Sequence, residues 1–216
     1  MPFNIRSYSH HDRSSVRNIS CDVANRGDVI DKFFPDREVT ADLLTIYYTD
    51  YEPSSSFVAI SEGRVVGYLN GCLDNRCYGL VMVFLILPKV LLKALFRGVF
   101  WDKNVLITIK MALKNWKRMF DWRKKSFNSH DGHCHIGILS TYRQHGIGHQ
   151  LVEAFEQQAR QQGIESIGAS VHSANEPARR FFDSLGFKVK SSYPMIGISQ
   201  GKEEQYQALL YVKDLS

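Results

Sequence analysis

The stretch HCHIGILSTYRQHGIGHQLVEAFEQQARQQGIESIGASVHSANEPARRFFDSLGF, residues 133–187, decides the fold. Its opening, HCHIGIL (133–139), reads as a strand, and STYRQHGIG (140–148) is a turn with two glycines. HQLVEAFEQQARQQ (149–162) reads as a helix. Its apolar positions Ile147, Leu151, Val152, Phe155 and Ala159 recur at helical spacing until Gly163 stops it. SIGASVH (166–172) has the composition of a buried strand. NEPARRFFDSLGF predicts a short helix with Pro177 in its first turn, Ala178, Phe181, Phe182 and Leu185 on one face, and Gly186 as its stop. Strand, helix, strand is a crossover unit, so the two strands are expected as parallel neighbours.

Working upstream, FNIRSY (3–8) predicts an opening strand, and the run after Asp12 a helix with Val16, Ile19 and Val23 on one face. ADLLTIYYTDY (41–51) gives a second helix with an aromatic end. FVAI and VVGYLNGCLD, joined by SEGR, give a hairpin.

Between these halves, residues 75–130 carry 12 Lys/Arg against only Asp102 and Asp121, although the whole chain is only +5. Lys89, Lys93 and Arg97 are spaced by four among Val90, Leu91, Leu92, Ala94, Leu95 and Phe96. That pattern predicts basic amphipathic helices whose apolar face includes Leu91, Leu95, Phe96, Val99 and Phe100. About 56 residues make a marginal core alone, so the segment reads as an insertion at about 75–130 within a single domain, 1–216. LVMVFLIL (80–87) is the most apolar run, but Pro88 and Lys89 are expected to close it short of the roughly 20 residues that span a bilayer. Three covers suit the apolar face: the protein's own core, a second subunit, or a lipid or hydrophobic acceptor. A homodimer and a peripheral membrane contact through 78–125 therefore both stay open.

With 44% apolar and 23% charged residues in 216, the composition excludes a disordered tail protein. The four cysteines are scattered, and MPFNIRSYSHHDR has no apolar leader, so the reducing cytosol is the expected compartment. No recognisable nucleic-acid module accompanies the basic charge, and no nucleic-acid partner is expected.

The chemistry concentrates in Arg143-Gln144-His145-Gly146-Ile147-Gly148, set between a strand and a helix. There, loop N–H groups and the helix N-terminus together make an anion site, and the two glycines let the backbone approach a phosphate. The dinucleotide fingerprint fails because Leu151 replaces its third glycine, and no Gly-Lys-Ser/Thr follows as a P-loop requires. The whole constellation is Ile136-x-Ile138, Tyr142-Arg143-x-x-Gly146-x-Gly148, a helix, a strand, and Asn175-x-x-Ala178-x-Arg180-Phe181-Phe182-x-x-Leu185-Gly186-Phe187. It resembles the GNAT family of N-acetyltransferases, most specifically over 133–190 and more loosely over the first 74 residues.

The resemblance implies an α+β, three-layer α/β/α fold with a mixed central sheet, and acetyl transfer from acetyl-CoA to an amine of a small molecule or peptide. It assigns Arg143, Gln144, His145, Gly146, Ile147 and Gly148 to the pyrophosphate loop and Ile136 and Ile138 to the strand that pairs with the pantetheine arm. Asn175 opens the helix beside the cofactor, and a strand N–H near Ile138 faces the oxyanion. Phe182 stands where the family commonly has a tyrosine that protonates the departing thiolate. Tyr193, His172 and Ser173 are substitutes, or no acid is needed, since a thiol of pKa about 8.5 leaves readily as thiolate. The alternatives are a CoA-binding protein without turnover and a membrane-surface acyltransferase using an apolar acceptor.

An ammonium acceptor needs a base, and histidine titrates near working pH. His133 and His135 share one face of their strand by the two-residue period, with Cys134 and Ile136 on the other. They are the catalytic candidates, beside the alternative of ordinary packed histidines. HCH puts adjacent ligands on opposite faces, so no metal site is assigned. Tyr48, Tyr51 and Glu52, at the end of the second helix, are candidate acceptor-binding residues, since that helix overhangs the acceptor pocket in the resembling family.

Overall fold

The computed structural model describes residues 2–23, 36–101, 106, 110, 114–115, 131–199 and 202–216. Its strands are β1 (Asn4–Ser7), β2 (Ser56–Ser61), β3 (Arg64–Cys72), β4 (Asp131–Ile138), β5 (Ser166–His172), β6 (Lys188–Ser199) and β7 (Lys202–Asp214). They form one sheet in the order β1-β2-β3-β4-β5-β7-β6. The crossover expectation holds where it matters: β4 and β5 are the parallel pair, and the other pairings are antiparallel. The fold is therefore the mixed α+β sheet with helices on both faces.

One face is covered by α4 (Ile147–Gln161) and α5 (Glu176–Ser184). Leu151, Val152, Phe155 and Ala159 of α4 are fully buried against Leu69, Cys134 and Ile167, which is why their helical spacing is legible in the sequence. The opposite face carries α1 (Arg13–Val23) and α2 (Arg37–Ile46), the latter continuing as a π-helical turn over Tyr47–Tyr51. Val16 and Ile19 of α1 pack on Val58 and Tyr68 of the sheet, with Val23 partly buried beside them. The hairpin turn between β2 and β3 places Glu62 and Gly63 at φ 51° and 74°.

The segment after β3 departs from expectation in two ways. Asn75–Phe96 is one helix, α3, of 22 residues, long and apolar enough by composition to cross a membrane. It passes through Pro88 because a π turn at Met82–Ile86 lies just before it, and the Leu87 N–H reaches Met82 O. Its two faces are also reversed. Lys93 contacts Glu38 and Asp42, Arg97 contacts Asp36, and Lys89 donates to the Tyr51 hydroxyl, so these basic residues point back toward the domain. Ile86, Val90, Ala94 and Val99 bury against Val39, Tyr47, Tyr48 and Cys72. Leu91, Leu95 and Phe96 of the expected buried face instead point outward with Leu80, Phe84 and Trp101; Phe84 is 70% exposed, Phe96 82% and Trp101 90%. Val99 and Phe100 do pack inward.

The hairpin β6–β7 has no counterpart in the sequence reading. KVKSSYPMIGIS carries Pro194 and weak alternation, and Pro is tolerated because β6 is an edge strand. The side chain of Asn115 satisfies part of that edge. Its Nδ2 donates to Ile196 O at 2.7 Å, and the Ile196 N–H donates to its Oδ1 at 3.2 Å.

Candidate active site

Strand β4 pairs with β5 only over Asp131, Gly132 and His133, opposite Ser166, Ile167 and Gly168. Beyond His133 the two strands part, while β4 stays paired with β3 as far as Ile138 opposite Gly67. Among the described residues no strand pairs with the β5-side edge of β4 beyond His133, and that edge leads directly to the turn that opens α4. An extended amide chain fits such an edge as an added strand.

In that turn Gln144 and Gly146 have φ of 64° and 82°, and Gly146 stands at the N-cap of α4. No atom lies within 4 Å of where a Gly146 Cβ would be, so the backbone there is open to an approaching group. The first N–H groups of α4, from Ile147 and Gly148 onward, point out of the helix end. Arg143 Nε donates to Ile138 O at 3.0 Å, and His145 Nδ1 lies 2.7 Å from Arg143 O. Gly148 answers a different need from close phosphate approach. A Cβ there would lie 2.8 Å from the Phe181 ring, so this glycine lets α4 pack onto α5. Asn175 caps α5, its Oδ1 accepting from Ala178 N–H at 3.2 Å. The residues present fit a diphosphate with a pantetheine arm: an open glycine at a helix start, continuous with a free strand edge.

The side chains of Ile136 and Ile138 pack, partly buried, toward the α4/α5 core. Phe182 is buried there too, with ring centroids 5.1 Å from Phe181 and Phe187 and 5.8 Å from Tyr211. His172 stacks on Tyr206 at 4.0 Å, and Ser173 Oγ accepts from the Gln207 N–H at 3.2 Å. These groups sit at the far end of β5.

The parity of β4 is as the two-residue period requires. Cys134 faces the α4 core, where burial pushes its thiol up to about 12, so it stays protonated. His133 and His135 face the other way, with ring centroids 5.9 Å apart. His133 is buried, with Nε2 3.0 Å from the Tyr48 hydroxyl and Nδ1 2.6 Å from Asn75 Oδ1. His135 is exposed, its ring 5.5 Å from Tyr48. Tyr78 of α3 adds a ring 4.8 Å from His133. Asn75 and Tyr78 come from α3, and their part in the cluster had no signal in the sequence.

Tyr48 is therefore brought to the histidines, whereas Tyr51 and Glu52 are not. Glu52 accepts from Tyr47 Oη (2.9 Å), Ser55 Oγ (2.8 Å) and Leu73 N–H (2.6 Å), a set that ties the π turn to the end of β3. Burial, with Cys72 and Glu52 beside it, holds the Tyr47 phenol far above its ordinary value. Directly opposite His135 on β3 is Asn70, 1% exposed, with neither amide atom partnered. A buried amide in that state calls for water or a ligand group beside it.

The sequence profile described as the Acetyltransferase (GNAT) family matches residues 99–187. No curated protein sequence matches the chain. Among solved structures, SsHAT superposes with a TM-score of 0.74 at 23% identity, over 100% of both chains. An N-acetyltransferase from Staphylococcus aureus Mu50 gives 0.62 at 14%, again over 100% of both. The putative acetyltransferase yncA from Salmonella typhimurium, solved with its cofactor acetyl-CoA, gives 0.59 at 15%, over 100% of this chain and 95% of its own. The chain thus shares its fold over its full length with solved acetyltransferases, and residues 99–187 match the GNAT acetyltransferase profile.

Proposed function

We propose that this protein transfers the acetyl group of acetyl-CoA to an amine, with residues 1–216 acting as one domain and the inserted segment forming a wall of the acceptor side. The parting of β4 from β5 beyond His133, running into the open turn at Gly146, carries this reading. Ile136 and Ile138 lend their backbone to the pantetheine arm. Arg143, Gln144, His145, Gly146, Ile147 and Gly148 form the pyrophosphate turn, with Asn175 and Phe182 flanking the cofactor. Acetyl-CoA supplies the activated thioester. His135, exposed at the parting of the strands, meets the acceptor, and His133 behind it holds the proton that the amine gives up. Tyr48 lines the same pocket, with Tyr51 and Glu52 at its margin, and the cytosol is the compartment.

The test is thiol release from acetyl-CoA across a broad panel of amines, with calorimetric titration of CoA. Micromolar CoA binding with amine-dependent thiol release supports the reading. Binding without release from any amine would leave a CoA-binding protein without turnover.

The outward apolar face of α3 favours a second reading, in which the enzyme works against a membrane surface on an apolar amine. Leu80, Phe84, Leu91, Leu95 and Phe96 are its exposed apolar residues, and Trp101 is exposed just beyond the helix. The helix lies along the surface and does not span the bilayer. Spanning would strip Lys93 and Arg97 from Asp42 and Asp36 and carry them into hydrocarbon.

A further inference from the structure

The inserted helix begins inside the candidate site. Asn75, the first residue of α3, donates from Nδ2 to the main-chain oxygen of Asp131 and presents Oδ1 to His133 Nδ1 at 2.6 Å. A carbonyl oxygen can only accept, which fixes the amide with its nitrogen toward Asp131. Oδ1 in turn can only accept, so the proton between it and His133 belongs to Nδ1. In the neutral ring Nε2 then carries the lone pair, and the Tyr48 hydroxyl 3.0 Å away donates to it.

This arrangement accommodates both protonation states. A proton added at Nε2 needs only a rotation of the Tyr48 O–H, after which Tyr48 accepts. The bond to Asn75 is the same in both states, and no heavy atom moves. Helix α3 does not need Asn75 for its own start. Asp74 caps it, with Oδ1 accepting from Arg76 N–H at 3.0 Å and Cys77 N–H at 2.8 Å. Among the described residues, the groups around His133 include the Tyr78 ring from α3, His135 two residues along its own strand, Cys72 directly opposite on β3, and Gly168 opposite on β5. The Asp131 carboxylate turns to Ser166 Oγ at 2.7 Å and Lys190 at 4.0 Å.

We propose that Asn75 is a positioning residue that holds His133 with Nδ1 protonated, so that Nε2 takes the acceptor's proton through the Tyr48 hydroxyl. The first turn of the insertion is thereby part of the proton-accepting site. As the amine nitrogen bonds to the acetyl carbon and the carbon–sulfur bond breaks, one amine proton passes to Tyr48 Oη and the Tyr48 proton to His133 Nε2. The thiolate leaves with the sulfur's electron pair, and the imidazolium later returns its proton to solvent. This role rests on the amine-acetylation reading, whereas the tautomer does not.

The experiment pairs ring-nitrogen NMR of the 15N-labelled full chain, with His133→Gln to assign the signal, with steady-state kinetics on whichever panel amine turns over. The parent is expected to show the Nδ1–H form at His133. In Asn75→Leu that form is lost and kcat falls at least about tenfold, with KM for acetyl-CoA within twofold. Asn75→Asp keeps the Nδ1–H form. Its carboxylate raises the basicity of His133, so the acid limb of the kcat profile moves up by about one pH unit or more. An Nε2–H tautomer in the parent overturns the proposal. So does a folded Asn75→Leu protein with unchanged kcat, or an Asn75→Asp profile that does not move. Should Asn75→Leu fail to fold, Tyr48→Phe decides: it is expected to lower kcat with the tautomer retained, and undiminished kcat counts against the relay. If no amine is acetylated by the parent while the tautomer is as expected, the functional reading fails and the positioning geometry stands.

Discussion

Lys93 Nζ on α3 lies 2.7 Å from Asp42 Oδ2 on α2, and the same carboxylate is held from its other side by Arg17 of α1. Three helices far apart in sequence meet on one acid, and Glu38 joins them through Arg17 at 2.7 Å and Lys93 at 3.4 Å. Asp42 and Arg17 are nearly closed to solvent, while Lys93 is a third exposed. Removing the acid leaves the buried Arg17 guanidinium with Glu38, the more exposed of its two carboxylates, so Asp42→Ala is expected to cost up to about 3 kcal/mol. Lys93→Ala, at the wetter end, is expected to cost about 1 kcal/mol or less. Urea unfolding of the two variants checks the order; equal losses would contradict it.

Acid should loosen the inserted helix. Burial disfavours the charge on Asp36, but the Val39 N–H and Arg97 outweigh it and hold the carboxyl below its ordinary 3.8. Glu38 lies below its ordinary 4.5 because Arg17 and Lys93 likewise outweigh burial. A depressed carboxylate contributes its full stability above the unfolded value and loses it as pH falls through the folded one. Docking of α3 is therefore expected to hold from neutrality down to about pH 5 and to weaken below about pH 4. Trp101, Trp116 and Trp122, all within 75–130, are the only tryptophans, so their emission follows this segment.

Gly146 and Gly148 should respond differently to substitution. Gly146→Glu places an acid in open space at the proposed phosphate turn, at a strain of about 1–2 kcal/mol for its positive φ. It is expected to stay folded and lose CoA binding by titration. Gly148→Ala meets the Phe181 ring at 2.8 Å and is expected to lose about 1–3 kcal/mol of stability. Unchanged CoA affinity in folded Gly146→Glu would falsify the cofactor assignment.

Phe182 packs among three aromatic rings, so Phe182→Ala is expected to cost about 3–5 kcal/mol. Phe182→Tyr restores the hydroxyl common in the family. Its turnover is expected to equal or exceed that of the parent, at a thermal stability lower by the cost of one buried hydroxyl. A large loss of turnover with CoA binding intact would point to packing against that hydroxyl.

The outward face of α3 gives the sharpest solution phenotype. Phe84→Ser and Phe96→Ser remove exposed rings and should change stability by no more than about 0.5 kcal/mol. If the enzyme works at a membrane, the double variant loses sedimentation with phosphatidylglycerol-containing vesicles while CoA binding is kept. If the face is instead a homodimer contact, the parent is a dimer by light scattering and the variant a monomer.

Elements whose signal is local can be read from the chain alone. The crossover over 133–187 is legible because α4 buries one regular stripe and because Gly163 and Gly186 punctuate it, and both histidines were assigned to one strand face by the pleat alone. The tertiary structure decided what depends on partners distant in sequence. It turned Lys89, Lys93 and Arg97 inward, because α2 offers Asp36, Glu38 and Asp42 at matching positions, and a periodic stripe does not state which side its partner stands on. It carried α3 through Pro88 by a π turn that no propensity marks. It also brought Asn75 to His133 across 58 residues, where backbone-fixed hydrogen bonding sets the tautomer and chain order gives no hint of contact. Periodicity reports which face of an element is apolar, whereas the choice between two histidines as the buried or the exposed one is made by packing among elements.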